Sequence, residues 1–210
     1  MIAVSAEDDQ VSRIVRAALE IFSERSFADA GTNEIAQRAG VSKRDIYAKF
    51  PDKHAILQAA IKTVLQADDE NFSNVVAVSA GYETLPEKLE IIGLALMNEV
   101  LSPTTSFVTR LISSETAKRP QIGAIYYEGW YIPRCDSISN VLSSHLSGKK
   151  ARIHAHEDTH QAARHFIALV IHLPQFSAMV GLRDIWNSRK ANDHVKRGVD
   201  CFLKAYPSIG

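Results

Sequence analysis

Val11, Ile14, Val15, Ala18, Leu19 and Phe22 recur at the i, i+3, i+4, i+7, i+8 and i+11 spacing of one helix face. Glu7, Asp8 and Asp9 stand at its start, where the positive end of a helix dipole favours carboxylates. This helix is expected to end near Ser26, before Ala30-Gly31. Thr32 is a natural N-cap for a short second helix that Gly40 ends. Ser42 caps a third, running through Phe50, and Pro51-Asp52 breaks and recaps the chain. From Lys53, the residues Ile56, Leu57, Ala60, Ile61, Val64 and Leu65 form another long stripe, and a boundary is placed near Asn71. The expected organisation is therefore residues 1–52, a connecting helix over 53–71, and a larger unit over 72–210.

The larger unit reads as further helices. Thr84 caps one that has Pro86 in its first turn and carries Leu89, Ile92, Leu96 and Val100 to Pro103. The next covers about Thr105 to Ala117. Another runs from Gln121 towards His145 and contains Pro133, which should kink or split it. The last two span roughly Asp158 to Val180, with Pro174 inside, and Asn192 to Ala205. No alternating strand pattern and no internal repeat is convincing, so the fold class is all-α.

The short second and third helices carry a specific frame. Ile35, Ala36 and Ala39 face inward from the first, with Ala36 as the small residue at the crossing. Gly40 takes the turn, where positive φ is cheap only for glycine, Val41 plugs the corner, and Ile46 and Phe50 face inward from the second. Lys43, Arg44, Asp45, Tyr47, Ala48 and Lys49 are left mostly outward. A helix-turn-helix sends its second helix into the major groove, where lysine and arginine reach guanine acceptors or phosphates. An ordinary αα-hairpin with a solvated basic face has the same spacing.

Charge changes the picture locally. The 210-residue chain has formal net charge of zero, so gross composition does not mark a nucleic-acid binder. From Arg38 to Lys62, however, six basic residues face two acidic ones, a local excess of +4. An apolar fraction of 46% excludes wholesale disorder. Two cysteines, Cys135 and Cys201, form no framework; they fit a reducing cytoplasm as buried small hydrophobes. The acidic N-terminus lacks the order of a signal peptide, and no membrane span is expected.

The stretch T-x-x-x-I-A-x-x-A-G-V-S-x-x-x-I-Y-x-x-F-P-x-K-x-x-I-L, Thr32 to Leu57, resembles the signature of TetR-type transcriptional regulators. The resemblance covers the first quarter to third of the chain. It implies a three-helix DNA-binding domain with a helix-turn-helix, then a larger helical domain that binds a ligand and dimerises. The family pattern puts Thr32 and Lys53 at backbone phosphates, and Lys43, Arg44, Tyr47 and Lys49 on the groove face, with Ser42 at the start of that helix. Arg44 stands where many members have glycine, and Asp45 where many have threonine. Asp45 would be repelled by a phosphate; it can accept from a cytosine amino group, cap the helix, or pair with Lys49.

In the larger unit, Tyr126, Tyr127 and Trp130 lie beside the expected break, with Met97, Phe107 and Arg110 on preceding helices. They either line an apolar cavity or fill core. His165 and His172 share a face, at a pocket or a dimer seam. Phe166, Val170, Leu173, Val199 and Phe202 are the expected dimer residues, since related proteins pair two such helices from each subunit. His154, His156 and His160 have spacing a metal could use, but no cysteine supports them and no metal is assigned. Neither catalytic residues nor a cofactor is assigned, because G-x-S-x-G, Walker and G-x-G-x-x-G patterns are missing; His156-Glu157-Asp158-Thr159-His160 does spell H-E-x-x-H, within the histidine group to which no metal is assigned. The expected partners are double-stranded operator DNA, a small-molecule effector and a second copy of the chain, with a cytoplasmic location. A small helical enzyme and a protein-binding adaptor are the competing readings.

Overall fold

A computed structural model describes residues 6–146, 155–207 and 209, and every regular element among them is helical. The first three helices are α1 (Ala6–Glu24), α2 (Thr32–Ala39) and α3 (Lys43–Lys49). Each is too short or too polar to persist alone, so burial of one face holds them together. Ile14, Ala18, Ile21 and Phe22 of α1 meet Ile35, Ala36 and Ala39 of α2 and Ile46 of α3 in one core. The cap of α2 is Gly31, not Thr32, which is the first helical residue. A glycine cap supplies no side-chain oxygen, and Thr32 is left free to reach across to α3.

α4 (Lys53–Ser79) packs on both α1 and α5 (Leu85–Leu101). The expected boundary near Asn71 is not a break. Beyond Leu65 the apolar stripe thins to Phe72 and little else, yet no proline or glycine interrupts the backbone ladder before Gly81. Here the apolar stripe ends while the helix continues. α5 has the expected start, a capping box in which Thr84 and Glu87 exchange hydrogen bonds. α6 (Pro103–Thr116) turns off α5 at 64°, capped by Ser102 rather than opening at Thr105.

Pro133 splits its helix as expected, by a particular device. α7 (Pro120–Tyr126) passes into a π-turn at Tyr127–Tyr131 before α8 (Ile132–Leu146). A proline lacks the N–H that an α-ladder needs and crowds the carbonyl four residues back; widening that turn relieves both. α9 (Ala155–Met179) and α10 (Ser188–Ala205) complete the chain, α10 starting four residues before the expected Asn192 because Asn187 caps it. α9 packs along α8 and α5, and α10 closes over α5 and α9. The approach of α5 to α10 is so close that a Cβ at Gly93 would sit 2.8 Å from Val195 Cγ1.

Among the described residues no single helix is long and apolar enough to cross a membrane. Cys135 is buried as expected, but Cys201 is exposed on the outer face of α10.

Candidate nucleic-acid interface

The turn between α2 and α3 is built by three backbone bonds. Gly40 takes φ +65°, the left-handed region, with its N–H directed to Ala36 and Gln37 carbonyls, and Val41 N–H donates to Ala36 O at 3.0 Å. Arg13 of α1 donates to the Ala39 carbonyl at 3.3 Å, closing the last turn of α2. At the start of α3, Ser42 Oγ accepts from Asp45 N–H at 3.1 Å. The Asp45 carboxylate in turn accepts from Ser42 N–H at 2.9 Å and Ser42 O–H at 2.7 Å. These bonds to Ser42 hold the Asp45 carboxyl below its ordinary range. Asp45 thus takes the capping role among the alternatives open to it. Ser42, expected at the DNA, is committed to the same cap.

With the corner fixed, α3 presents Lys43, Arg44 and Tyr47 to solvent, and Lys49 half-buried behind them. Tyr47 is 48% exposed, unusual for a ring that size, and the Lys43 ammonium lies 5.8 Å from its centroid. Its hydroxyl approaches Thr32 Oγ1 at 3.4 Å, so the first turn of α2 and the middle of α3 present one continuous polar edge.

Two members of the basic group have other work. Lys53, expected at a phosphate, donates to the carbonyls of Phe27 (2.7 Å), Ala28 (3.1 Å) and Ala30 (2.8 Å), and its ammonium lies 4.6 Å from the Phe27 ring centroid. Three bonds use all three ammonium donors. Lys53 therefore ties the start of α4 to the loop ahead of α2. Arg38 forks onto Glu24, with Glu20 and Glu34 also within 3.9 Å. Those three glutamates lie outside the sequence window in which the basic excess was counted. Lys43 and Arg44 on α3 remain exposed.

The residues expected to line a ligand pocket are dispersed. Met97 is fully buried. Tyr126 and Trp130 stack at 5.4 Å, the Tyr126 hydroxyl accepting from Gln175 at 3.0 Å, while Tyr127, the first residue of the π-turn, is 49% exposed. Phe107 and Arg110 line a cleft of about 410 Å³ where the end of α1 meets α6. His165 is exposed on α9 and hydrogen-bonded to Tyr206.

The expected dimer residues need correction. Phe166, Val170, Val199 and Phe202 are buried inside the single chain, where α9 meets α5 and α10; only Leu173 is exposed. Apolar residues run around both sides of α9, and periodicity alone did not say which side faces out. The exposed apolar stripe is Leu169, Leu173, Phe176 and Val180, and of the expected dimer residues Leu173 belongs to it. In the histidine group, His154 and the side chain of His156 lie outside the described residues. His160 meets Asp136 at 2.8 Å, and no group of three metal-binding side chains occurs among the described residues.

One cluster had no signal in the sequence. Arg134, with no exposed surface, donates to Asp69 at 2.8 Å and to Glu99 at 2.7 Å, and Trp130 Nε1–H donates to the same Glu99 oxygen. Burial pushes the Glu99 carboxyl up to about 7; Arg134 opposes the rise and neighbouring Asp68 adds to it. The four groups come from α4, α5, the π-turn and α8, a convergence that only the fold reveals.

Two family models match the chain. Residues 14–60 match the model of bacterial regulatory proteins of the tetR family, and residues 87–208 match the C-terminal domain of AefR-like transcriptional repressors. EthR of Mycolicibacterium smegmatis is 30% identical over 69 residues, covering 33% of this chain and 32% of EthR. SrpR of Pseudomonas putida is 26% identical over 110 residues, covering 52% of this chain and 48% of SrpR. These matched stretches thus span between a third and a half of the curated relatives. Among solved structures, a TetR-family regulator from Mesorhizobium loti superposes with a TM-score of 0.86 at 19% identity, over 96% of this chain and 98% of that one. The flavonoid-responsive regulator FrrA superposes at 0.75 with 24% identity, over 93% and 96%. At such identities the superpositions carry the fold, while the two family models carry membership. The chain belongs to the TetR family of DNA-binding transcriptional regulators.

Proposed function

We propose that this protein is a repressor that holds an operator as a homodimer and lets go when a small molecule binds its larger helical unit. The observation that carries the reading is the exposed Lys43–Arg44–Tyr47 edge on a capped helix, held at a fixed angle by the Gly40 turn. Lys43 and Lys49 meet phosphates, Thr32 and Tyr47 the sugar-phosphate edge, and Arg44 reaches a guanine in the major groove. Lys53 acts from behind, as the tie that makes the loop ahead of α2 move with α4.

A lone module of this size makes few contacts, and joining two raises effective concentration and reads two half-sites. The exposed Leu169, Leu173, Phe176 and Val180 supply a second copy with an apolar stripe. Half-sites one turn apart demand reading helices about 34–36 Å apart. A ligand that favours another separation by binding the two arrangements unequally releases the operator. The site of action is the cytoplasm, with the DNA.

Arg44→Ala tests the groove assignment. Binding to duplex from upstream of the protein's own gene, followed by fluorescence anisotropy, is expected to weaken by about 1–3 kcal/mol, with the melting temperature unchanged. Unchanged affinity would remove Arg44 from the reading surface.

A further inference from the structure

Between residues 68–75 of α4 and 95–102 of α5 lies a groove of about 350 Å³, at the lower end of small-molecule sites. Phe72, Val75 and Ala95 give it an apolar wall, and Asp68 and Glu99 give it two carboxylates. The Glu99 side chain is only 9% exposed. One of its oxygens takes both the Arg134 and the Trp130 hydrogen bonds, and the other, Oε2, takes none. Asp68 uses one oxygen on Thr105 Oγ1 at 3.1 Å.

Charge around this groove does not balance. Among the described residues, the cation bonded to this cluster is Arg134, and it faces three carboxylates, Asp68, Asp69 and Glu99. Fully ionised, the group carries two unneutralised negative charges, partly out of water, an arrangement that is costly until a proton or a cation arrives. Burial raises both the Asp68 and the Glu99 carboxyls, with Arg134 opposing each rise. An anionic ligand would deepen the deficit. A bare metal ion is a poor match, because much of the wall is apolar and amide.

We propose that the α4–α5 groove binds an organic monocation, its ammonium or amidinium group between Asp68 and Glu99 Oε2 and its apolar body against Phe72. The inference rests on the reading of the chain as a ligand-responsive regulator and names the chemical class of the ligand. It also gives the ligand a lever. Asp68 and Phe72 belong to α4, whose first residue holds the loop ahead of α2 through the Phe27, Ala28 and Ala30 carbonyls. A cation drawn between α4 and α5 changes where α4 lies relative to the rest of the larger unit.

The test titrates the full chain with phenethylammonium chloride and, separately, with phenethyl alcohol, its neutral counterpart of the same shape. Tryptophan emission reports the groove through Trp130, and thermal melting reports binding independently. The ammonium is expected to raise the melting temperature saturably and to bind about ten-fold or more tightly than the alcohol. Asp68→Asn, which leaves the Arg134 pairs intact, should erase that preference; Glu99→Gln should do the same in a variant whose circular dichroism is native. Equal binding of the two probes, no binding of the ammonium, or an undiminished preference in Asp68→Asn would overturn the proposal. Anisotropy with duplex DNA on the same samples separates the two readings. DNA binding without ammonium binding refutes the monocation alone, and ammonium binding without DNA binding refutes the regulator reading.

Discussion

Gly40 shows how one residue fixes the geometry of an interface it does not touch. At φ +65° a side chain is strained whatever space surrounds it, and the space here is ample, with only Arg13 Nη1 near a virtual Cβ, at 3.7 Å. Gly40→Ala is therefore expected to cost about 1–2 kcal/mol from backbone strain alone, read as a lowered thermal midpoint; equal stability would mean the turn relaxes to another conformation. Glu99 makes a second residue-scale prediction. Its carboxyl is raised from 4.5 to about 7 in the folded chain by burial, with Asp68 adding to the rise. Between those values the folded chain keeps a proton that the unfolded chain has lost, so stability falls as pH rises through the window and the contribution is gone above it. Glu99→Gln should flatten that part of a pH series of melting curves; an unchanged slope would show that Glu99 is not the group responsible. The glycine and its turn were legible in sequence because the constraint is local. The carboxylate was not, because its environment is assembled from residues 31 to 35 positions away.

At the scale of the element, α9 is the instructive case. Its two apolar stripes are indistinguishable by period, and burial sorts them: Phe166 and Val170 inward, Leu173 and Phe176 outward. The helices of the first unit were read more accurately, because there caps, a glycine turn and a stripe all agree on one face. Ser42 and Asp45 show the limit of that accuracy, since spacing shows which positions lie at the start of α3 but not that the two side chains satisfy each other. Lys53 and Arg38 show another, since a basic residue counted in a window has its partners elsewhere in the chain. The exposed stripe predicts that Leu173→Asp with Phe176→Asp converts a dimer to monomers of native helix content. Sedimentation or light scattering checks it, and a dimer that survives both changes places the interface elsewhere.

Across the whole molecule, α4 carries both Lys53, bonded to the loop ahead of α2, and Asp68 in the groove, and the proposed ligand would act along it. Net charge of zero conceals the arrangement, because Glu20, Glu24 and Glu34 hold Arg38 while Lys43, Arg44 and Lys49 gather on one short helix. On the proposed reading, binding to DNA is a local electrostatic property, governed by the few phosphates those side chains would neutralise in each half of a dimer. The most direct measurement is the affinity of the full chain for duplex from upstream of its own gene across a series of salt concentrations. The account predicts tight binding at low salt whose logarithm falls linearly and steeply with the logarithm of salt, as counterions are released from phosphates at two half-sites. A folded protein that binds neither this duplex nor random duplex at low salt would contradict it.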